Sequence, residues 1–239
     1  TTYIESRDLF HCCERGMALQ YYKFVTIDLR LEGYNVFQIA DLEMSYSGKP
    51  LVFNLGNDGC IGQSCPLDVD TAYSIDGDAP DKELPQNILD MNLETKWLDY
   101  KKSPAIIRLA KKKPIHNYRL RTANDEAIRD PVLWNLQGSP DYVNWVIMHE
   151  VANRTLGEAL VPLNRSTWST NFTIEIPCYA PTQAFIPNSP NITCQEGDIL
   201  RSGSNCTTLC NDGFTPSIRT LLCKRAQLYP DSFYNCIAD

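Results

Sequence analysis

The sequence predicts an all-β protein, a jelly-roll β-sandwich followed by a small disulfide-stapled β module. Three observations lead there. Apolar residues recur with a period of two over short segments, those segments are separated by stretches rich in Gly, Pro, Asn and Asp, and six of the ten cysteines fall after residue 177.

Taken in chain order, Ser6 can cap a short turn through Asp8, Leu9 and Phe10, and no long segment keeps the 3.6-residue period of an amphipathic helix. Residues 21–31 alternate Val25, Ile27, Leu29 and Leu31 with Thr26, Asp28 and Arg30, which predicts a strand with one buried face. In residues 37–46 the apolar phase is odd at Phe37 and Ile39 but even at Leu42, Met44 and Tyr46. One residue is therefore extra near Ala40 and Asp41, and a β-bulge is expected to absorb it. Further strands are expected at Tyr118-Leu120-Thr122, Val132-Trp134-Leu136, Trp145-Ile147 and Phe172-Ile174-Ile176. Pro181, Pro187 and Pro190 interrupt any ladder, since proline has no backbone N–H to donate. A linker is expected at 181–193, dividing a first domain, 1–180, from a module, 194–239. That module is too short to bury a sufficient apolar core, so disulfides are expected to hold it.

Composition narrows the function classes. With 239 residues, 43% hydrophobic and 21% charged, the chain suits one large domain or one plus a small module. A net charge of -7 has the wrong sign for coating a phosphate backbone, so nucleic acid is not an expected partner. No apolar run approaches the roughly 18 residues needed to cross a bilayer, and the opening Thr-Thr-Tyr reads as that of an already processed chain. The even count of ten cysteines suits five disulfides, and Asn-x-Ser/Thr acceptors stand at Asn153, Asn164, Asn171, Asn191 and Asn205. Together they predict a secreted or cell-surface glycoprotein. Adjacent cysteines rarely bridge to each other, so Cys12 and Cys13 are expected to pair with Cys60 and Cys65.

Four segments resemble, in order and spacing, the discoidin or coagulation-factor type C branch of galactose-binding-like domains. They are NILDMNLETKW with Asp90, Asn92, Thr95 and Trp97; AIIRLAKKKPIHNYRL; RDPVLWNLQGS with Arg129, Asp130, Pro131, Trp134, Gly138 and Ser139; and DYVNW ending at Trp145. The resemblance implies an eight-stranded jelly roll of two antiparallel sheets. The strands of residues 21–46, which in that family close the domain, here precede the other motifs, implying a circular permutation over roughly residues 15–177. Residues 194–236 resemble a sushi, or complement-control, module through Cys194, CNDGF (Cys210, Gly213, Phe214), LLC (Cys223) and Cys236. The family pairing implies Cys194 with Cys223 and Cys210 with Cys236. Cys206 is extra to the pattern and could bond Cys178, and the usual Trp before the last cysteine is missing, its space open to Tyr229 or Phe233.

Candidate chemistry is sparse. Asp90, Asn92 and Thr95 offer hard oxygen ligands from one tight loop, and the resemblance implies a structural Ca2+ there, with Glu175 a conceivable further ligand. The competing expectation is an Asx-turn that closes on itself without metal. The acidic stretch from Asp68 to Glu83 lacks a Ca2+-loop pattern, and Lys111 to Lys113 with Lys101 and Lys102 form a basic patch; both are expected to be solvated surface. Arg129 and Asp130 are expected to be scaffold, and Trp97, Trp134 and Trp145 core, while Trp168 stands between core and an exposed sugar-stacking face. No His-Glu-x-x-His, Gly-x-Ser-x-Gly, phosphate-cradling or dinucleotide motif occurs, His11, His116 and His149 are scattered, and Cys206-x-x-x-Cys210 lacks a matching second zinc-ligand pair. The expectation is a non-enzymatic recognition or adhesion protein binding a glycan or cell-surface glycoprotein through loops not identifiable from sequence. The alternative is a structural subunit of an extracellular coat, filament or appendage, in contact with other extracellular subunits.

Overall fold

The structure, a computed structural model, describes residues 18–56, 64–224, 226–230 and 232–239. The expected Ser6 turn, and Cys12, Cys13 and Cys60 with their pairing, lie outside the described residues; Cys65 is disulfide-bonded. The chain is all-β with a disulfide-stapled part, as expected, and forms two compact units. The larger comprises residues 18–143 and 149–174, the smaller includes 144–148 and 175–239.

The larger unit is built on β1 (Ala18–Leu29), β2 (Phe37–Ile39), β3 (Asp41–Tyr46), β4 (Lys49–Pro50), β5 (Thr71–Tyr73), β6 (Trp97–Asp99), β7 (Ala105–Pro114), β8 (Asn117–Arg121), β9 (Pro131–Ser139) and β11 (Phe172–Thr173), with the second half of β10 (Val146–Val151), whose first half is counted with the smaller unit. One sheet has the order β10-β9-β1-β7-β5, a second β11-β8-β3-β4, and β2 pairs with β6. β1 is central and antiparallel to both β7 and β9. Side chains of the two larger sheets meet in an aromatic core. The Trp134 indole N–H of β9 donates to the Tyr118 hydroxyl of β8 at 2.7 Å, and the Trp134 ring stands edge-on to Phe172 of β11 at 5.3 Å. Phe24 and Phe37 stack at 6.2 Å beside them, and Trp97 is wholly buried against Phe37.

Three strand expectations are corrected in detail. β1 buries Tyr22, Phe24 and Thr26, not Val25 and Ile27; Ile27 is 45% exposed, and Leu31, beyond the strand, is 46% exposed. Both faces of this central strand are apolar, and the bulkier pair of Tyr22 and Phe24 takes the core. A register shift between Thr26 and Asp28 then returns Leu29 to it. At Trp145 and Ile147 the inward residues are instead Val146 and Met148. The phase change at Ala40 and Asp41 is no bulge within one strand: β2 pairs with β6, whereas β3 pairs with β8 and β4. The chain changes sheets there, so a different side chain parity must face inward on each side of the corner.

One helix, α1 (Arg154–Leu160), was not foreshadowed by any long period. Asn153 caps it, its side-chain oxygen accepting from the Leu156 amide at 3.0 Å. Gly157 lets the helix lie on β9, because a Cβ there would stand 1.8 Å from the Val132 carbonyl oxygen.

The smaller unit contains β12 (Cys178–Tyr179), β13 (Ile199–Leu200), β14 (Asn205–Thr207), β15 (Phe214–Pro216), β16 (Thr220–Lys224), β17 (Gln227–Tyr229) and β18 (Cys236–Ala238), paired as β12-β13, β14-β16-β17 and β15-β18. Its disulfides are Cys178–Cys223, Cys194–Cys206 and Cys210–Cys236. Of the pairing implied by the sushi resemblance, Cys210 with Cys236 is present. Cys194 bonds Cys206 in place of Cys223, and Cys178 bonds Cys223 in place of Cys206. The proline-rich segment 181–193 belongs to this unit's core: Ile186, Ser189 and Thr193 are wholly buried, and Tyr234 donates to the carbonyls of Thr193 and Leu209. Its prolines end ladders without freeing the chain, since Ser189 and Thr193 hydroxyls donate to the carbonyls of Ile186 and Pro181.

Candidate functional site

The Asp90 loop follows a 3-10 turn at Pro85–Leu89 and closes on itself. Asp90 accepts from the Asn92 amide at 2.8 Å, and the Thr95 hydroxyl lies 2.9 and 2.8 Å from its two carboxylate oxygens. The Asn92 side-chain oxygen accepts from the Glu94 amide, and its carbonyl accepts from the Arg121 guanidinium at 2.8 Å. Glu175 belongs to the other compact unit, where it faces Arg201 at 3.8 Å. These donors do not fit a Ca2+ ion. Every candidate side-chain oxygen in the loop is engaged by a hydrogen bond, and a cation, the Arg121 guanidinium, bonds the loop's Asn92 carbonyl. The arrangement is that of an Asx-turn. Arg121 also holds the buried Asp41; burial pushes that carboxyl up to about 6, and the guanidinium works against the rise.

A cleft of about 520 Å³ opens beside this loop in the same unit, walled by the turn from Pro80 to Glu83, by Lys96, Leu98 and Tyr100 around β6, and by Asp125 and Arg129. Backbone bonds explain how the walls are held. The Leu98 amide donates to the Glu83 carbonyl at 3.1 Å and the Tyr100 amide to the Asp78 carbonyl at 2.9 Å, which stitches the acidic turn onto β6. Beneath it Asp99, wholly buried, accepts from the amides of Asp78, Lys101 and Ser103. A buried carboxylate thus organises the loop without entering the cleft.

Lys96 is the buried cation of the cleft, 7% exposed. Its ammonium donates to Asp125 at 2.7 Å and to Gln38 at 3.3 Å, and stands 3.6 Å from Glu83. Burial alone would raise the Asp125 carboxyl, but the Lys96 hydrogen bond and charge, the Gln38 bond and the Arg129 charge hold it below its ordinary range. Arg129, at the end of the 3-10 turn Ala127–Arg129, is ion-paired with Asp125 at 3.7 Å, and among the described residues its enclosed Nε has no hydrogen-bond partner. Its neighbour behaves oppositely. Asp130 is wholly buried and gripped by Arg165 at 2.9 and 2.5 Å, with Arg30 at 3.9 Å. The expectation of scaffold describes Asp130; Arg129 points into the cleft.

The remaining sequence features distribute as follows. Trp168 is half-buried under Arg119 at 4.4 Å and Arg121 at 5.5 Å, and Arg119 is clamped by Glu43 at 2.8 Å. Its ring face is therefore already covered by the protein's own cations. Asp70, in the acidic stretch, is buried rather than solvated, accepting from the amides of Asn54 and Ala110 at 2.7 Å. Lys111 and Lys112 are exposed as expected but continue β7, and Lys113 faces Asp70 at 3.7 Å. Asn153, Asn164, Asn171, Asn191 and Asn205 are all exposed. The cleft itself was not legible in the sequence; the one available signal was the density of opposite charges in DKE (81–83), Lys96 and the Asp125 to Arg129 turn.

Compared with family models, with curated proteins and with solved structures, the chain matches none.

Proposed function

We propose that this chain is a secreted or cell-surface, non-enzymatic recognition protein that binds glycan in the cleft beside β6, on a galactose-binding-like scaffold. The cleft carries the reading. It offers an exposed aromatic, Tyr100, beside paired acceptors and donors in Glu83, Asp125, Lys96 and Arg129, and a sugar presents both an apolar ring face and hydroxyls that donate and accept. The three disulfides and the exposure of all five sequon asparagines support an oxidising, glycosylating route. No described helix is long and apolar enough to cross a membrane.

A glycan array probed with the natively glycosylated protein, with Ca2+ and again with EDTA, tests this. Selective binding that persists in EDTA is expected, because the Asp90 loop closes without metal. Binding abolished by EDTA would reinstate Ca2+ as a partner, and absence of selective binding would sink the recognition reading.

A second reading, a structural subunit, is favoured by the apolar exterior of the smaller unit. Tyr179, Phe185, Ile192, Leu222, Tyr229 and Ile237 are each more than a third exposed, and Phe185 meets Phe233 at 5.5 Å. Self-association in light scattering with a silent glycan array would favour it.

A further inference from the structure

Resting on the secreted-glycoprotein reading, we infer that the core of an N-glycan on Asn205 lies across an apolar row of the smaller unit, Leu222 and Tyr229, and covers it. Of the five acceptor asparagines, Asn205 alone stands within a strand, β14. Register then fixes its neighbours: Asn205 pairs with Leu222 of β16, and Leu222 with Tyr229 of β17. Directly opposed residues of an antiparallel ladder project from the same face. That face is the outer one, because the alternate residues Cys206, Leu221, Cys223 and Leu228 are buried. Asn205 is exposed and its side chain makes no hydrogen bond among the described residues, while Leu222 and Tyr229 are 39% and 44% exposed. The amide that would carry the sugar thus stands beside a leucine and an aromatic ring, both open to solvent.

Neighbouring strands lie about 4.8 Å apart, so Tyr229 is about 10 Å from Asn205, within the reach of two linked sugar rings. The first N-acetylglucosamine, joined through its anomeric carbon to Asn205 Nδ2, lies over Leu222, and the second reaches Tyr229. In forming that bond the amide nitrogen loses one proton and displaces the lipid diphosphate of its donor from the anomeric carbon. A pyranose is apolar on its ring faces and polar at its rim, and the sheet matches both. Thr220 on one side of the row and Lys224 and Gln227 on the other share its face and are exposed, offering donors and acceptors to the rim. The Tyr229 hydroxyl donates to Gln227 at 3.1 Å, which tethers the ring within this face. The sugar must be added before the unit closes. In the folded chain Cys206 is wholly buried in its bond to Cys194, and Glu196 accepts from the Thr207 amide and hydroxyl at 2.7 Å, so the acceptor triplet is locked in the ladder. The unit therefore folds with the glycan in place, and Leu222 and Tyr229 need no protein partner to cover them.

The test uses the full chain secreted from a glycosylating host. Peptide mass spectrometry reads occupancy at each acceptor, and NMR reads contacts from the core sugars' N-acetyl methyl and ring protons to the Leu222 methyls and the Tyr229 ring. Expected are an occupied Asn205, cross-peaks to both side chains, and a melting temperature about 2–4 °C lower in Asn205→Gln. That loss should vanish when Asn205→Gln is made in a background already carrying Leu222→Ser and Tyr229→Ser, because the contact it removes is no longer there. The cross-peaks are read on the wild-type chain and do not depend on any variant's folding. An occupied Asn205 without cross-peaks, or a melting loss undiminished in the double-Ser background, would overturn the glycan's place on this row while leaving the secreted-glycoprotein reading intact. An empty Asn205 beside occupied acceptors elsewhere would do the same. A chain bare at every acceptor would overturn both.

Discussion

At the scale of single residues, the larger unit places some charges in closed networks and others at the cleft, and the two groups respond differently to change. Asp125 belongs to the cleft. Its folded-state carboxyl is held below the ordinary value of 3.8, so its ionisation favours the folded state above that pH, and the contribution is lost as pH falls through the lowered value. Urea unfolding below pH 4 should therefore show a steep acid decline that flattens in Asp125→Asn; an unchanged slope would deny the Lys96 pairing its role. Of these residues, the pair Arg129 and Asp130 announces itself in the sequence, beside Pro131, as expected scaffold. The split between Asp130 facing inward and Arg129 facing the cleft does not, because adjacent residues at a turn carry no fixed periodicity from which to assign faces.

At the scale of elements, α1 shows how a short helix can escape a pattern search. Seven residues give too few turns for a 3.6-residue stripe to stand out, and only the cap at Asn153 marks its start. Its placement depends on one contact. Gly157→Ala would drive a methyl group into the Val132 carbonyl and should destabilise the larger unit by roughly 1–3 kcal/mol despite alanine's better helix propensity, as read by chemical denaturation. A neutral or stabilising result would mean that α1 does not pack on β9 as described. The corner between β2 and β3 teaches a related lesson. The change of apolar parity at Ala40 was visible in the sequence, but a bulge and a change of sheet produce the same shift, and only the partners β6 and β8 tell them apart.

At the scale of the whole molecule, the all-β class and the disulfide-stapled C-terminal part were each legible, because period-2 alternation and cysteine density are local signals. The connectivity was not. Cysteine positions constrain which sulfurs exist, whereas pairing depends on which strands fold side by side, and here β12 and β13 join residues 178 and 200 across the proline-rich segment. Peptide mapping should find Cys178–Cys223, Cys194–Cys206 and Cys210–Cys236. Replacing Cys178 and Cys223 together by Ser should cost about 4 kcal/mol, the loop-closure entropy of their 45-residue separation, and should loosen the segment 181–193 to proteolysis. Recovery of a Cys194–Cys223 bond would restore the pairing of the sushi pattern. The sequence by itself thus determined the class of structure and the chemistry available to it, since both follow from local alternation and residue type. Only the tertiary structure decided which face of β1 is core, which cysteines meet, and that Lys96, Asp125 and Arg129 share a cleft, because each of these depends on long-range pairings that no local pattern encodes.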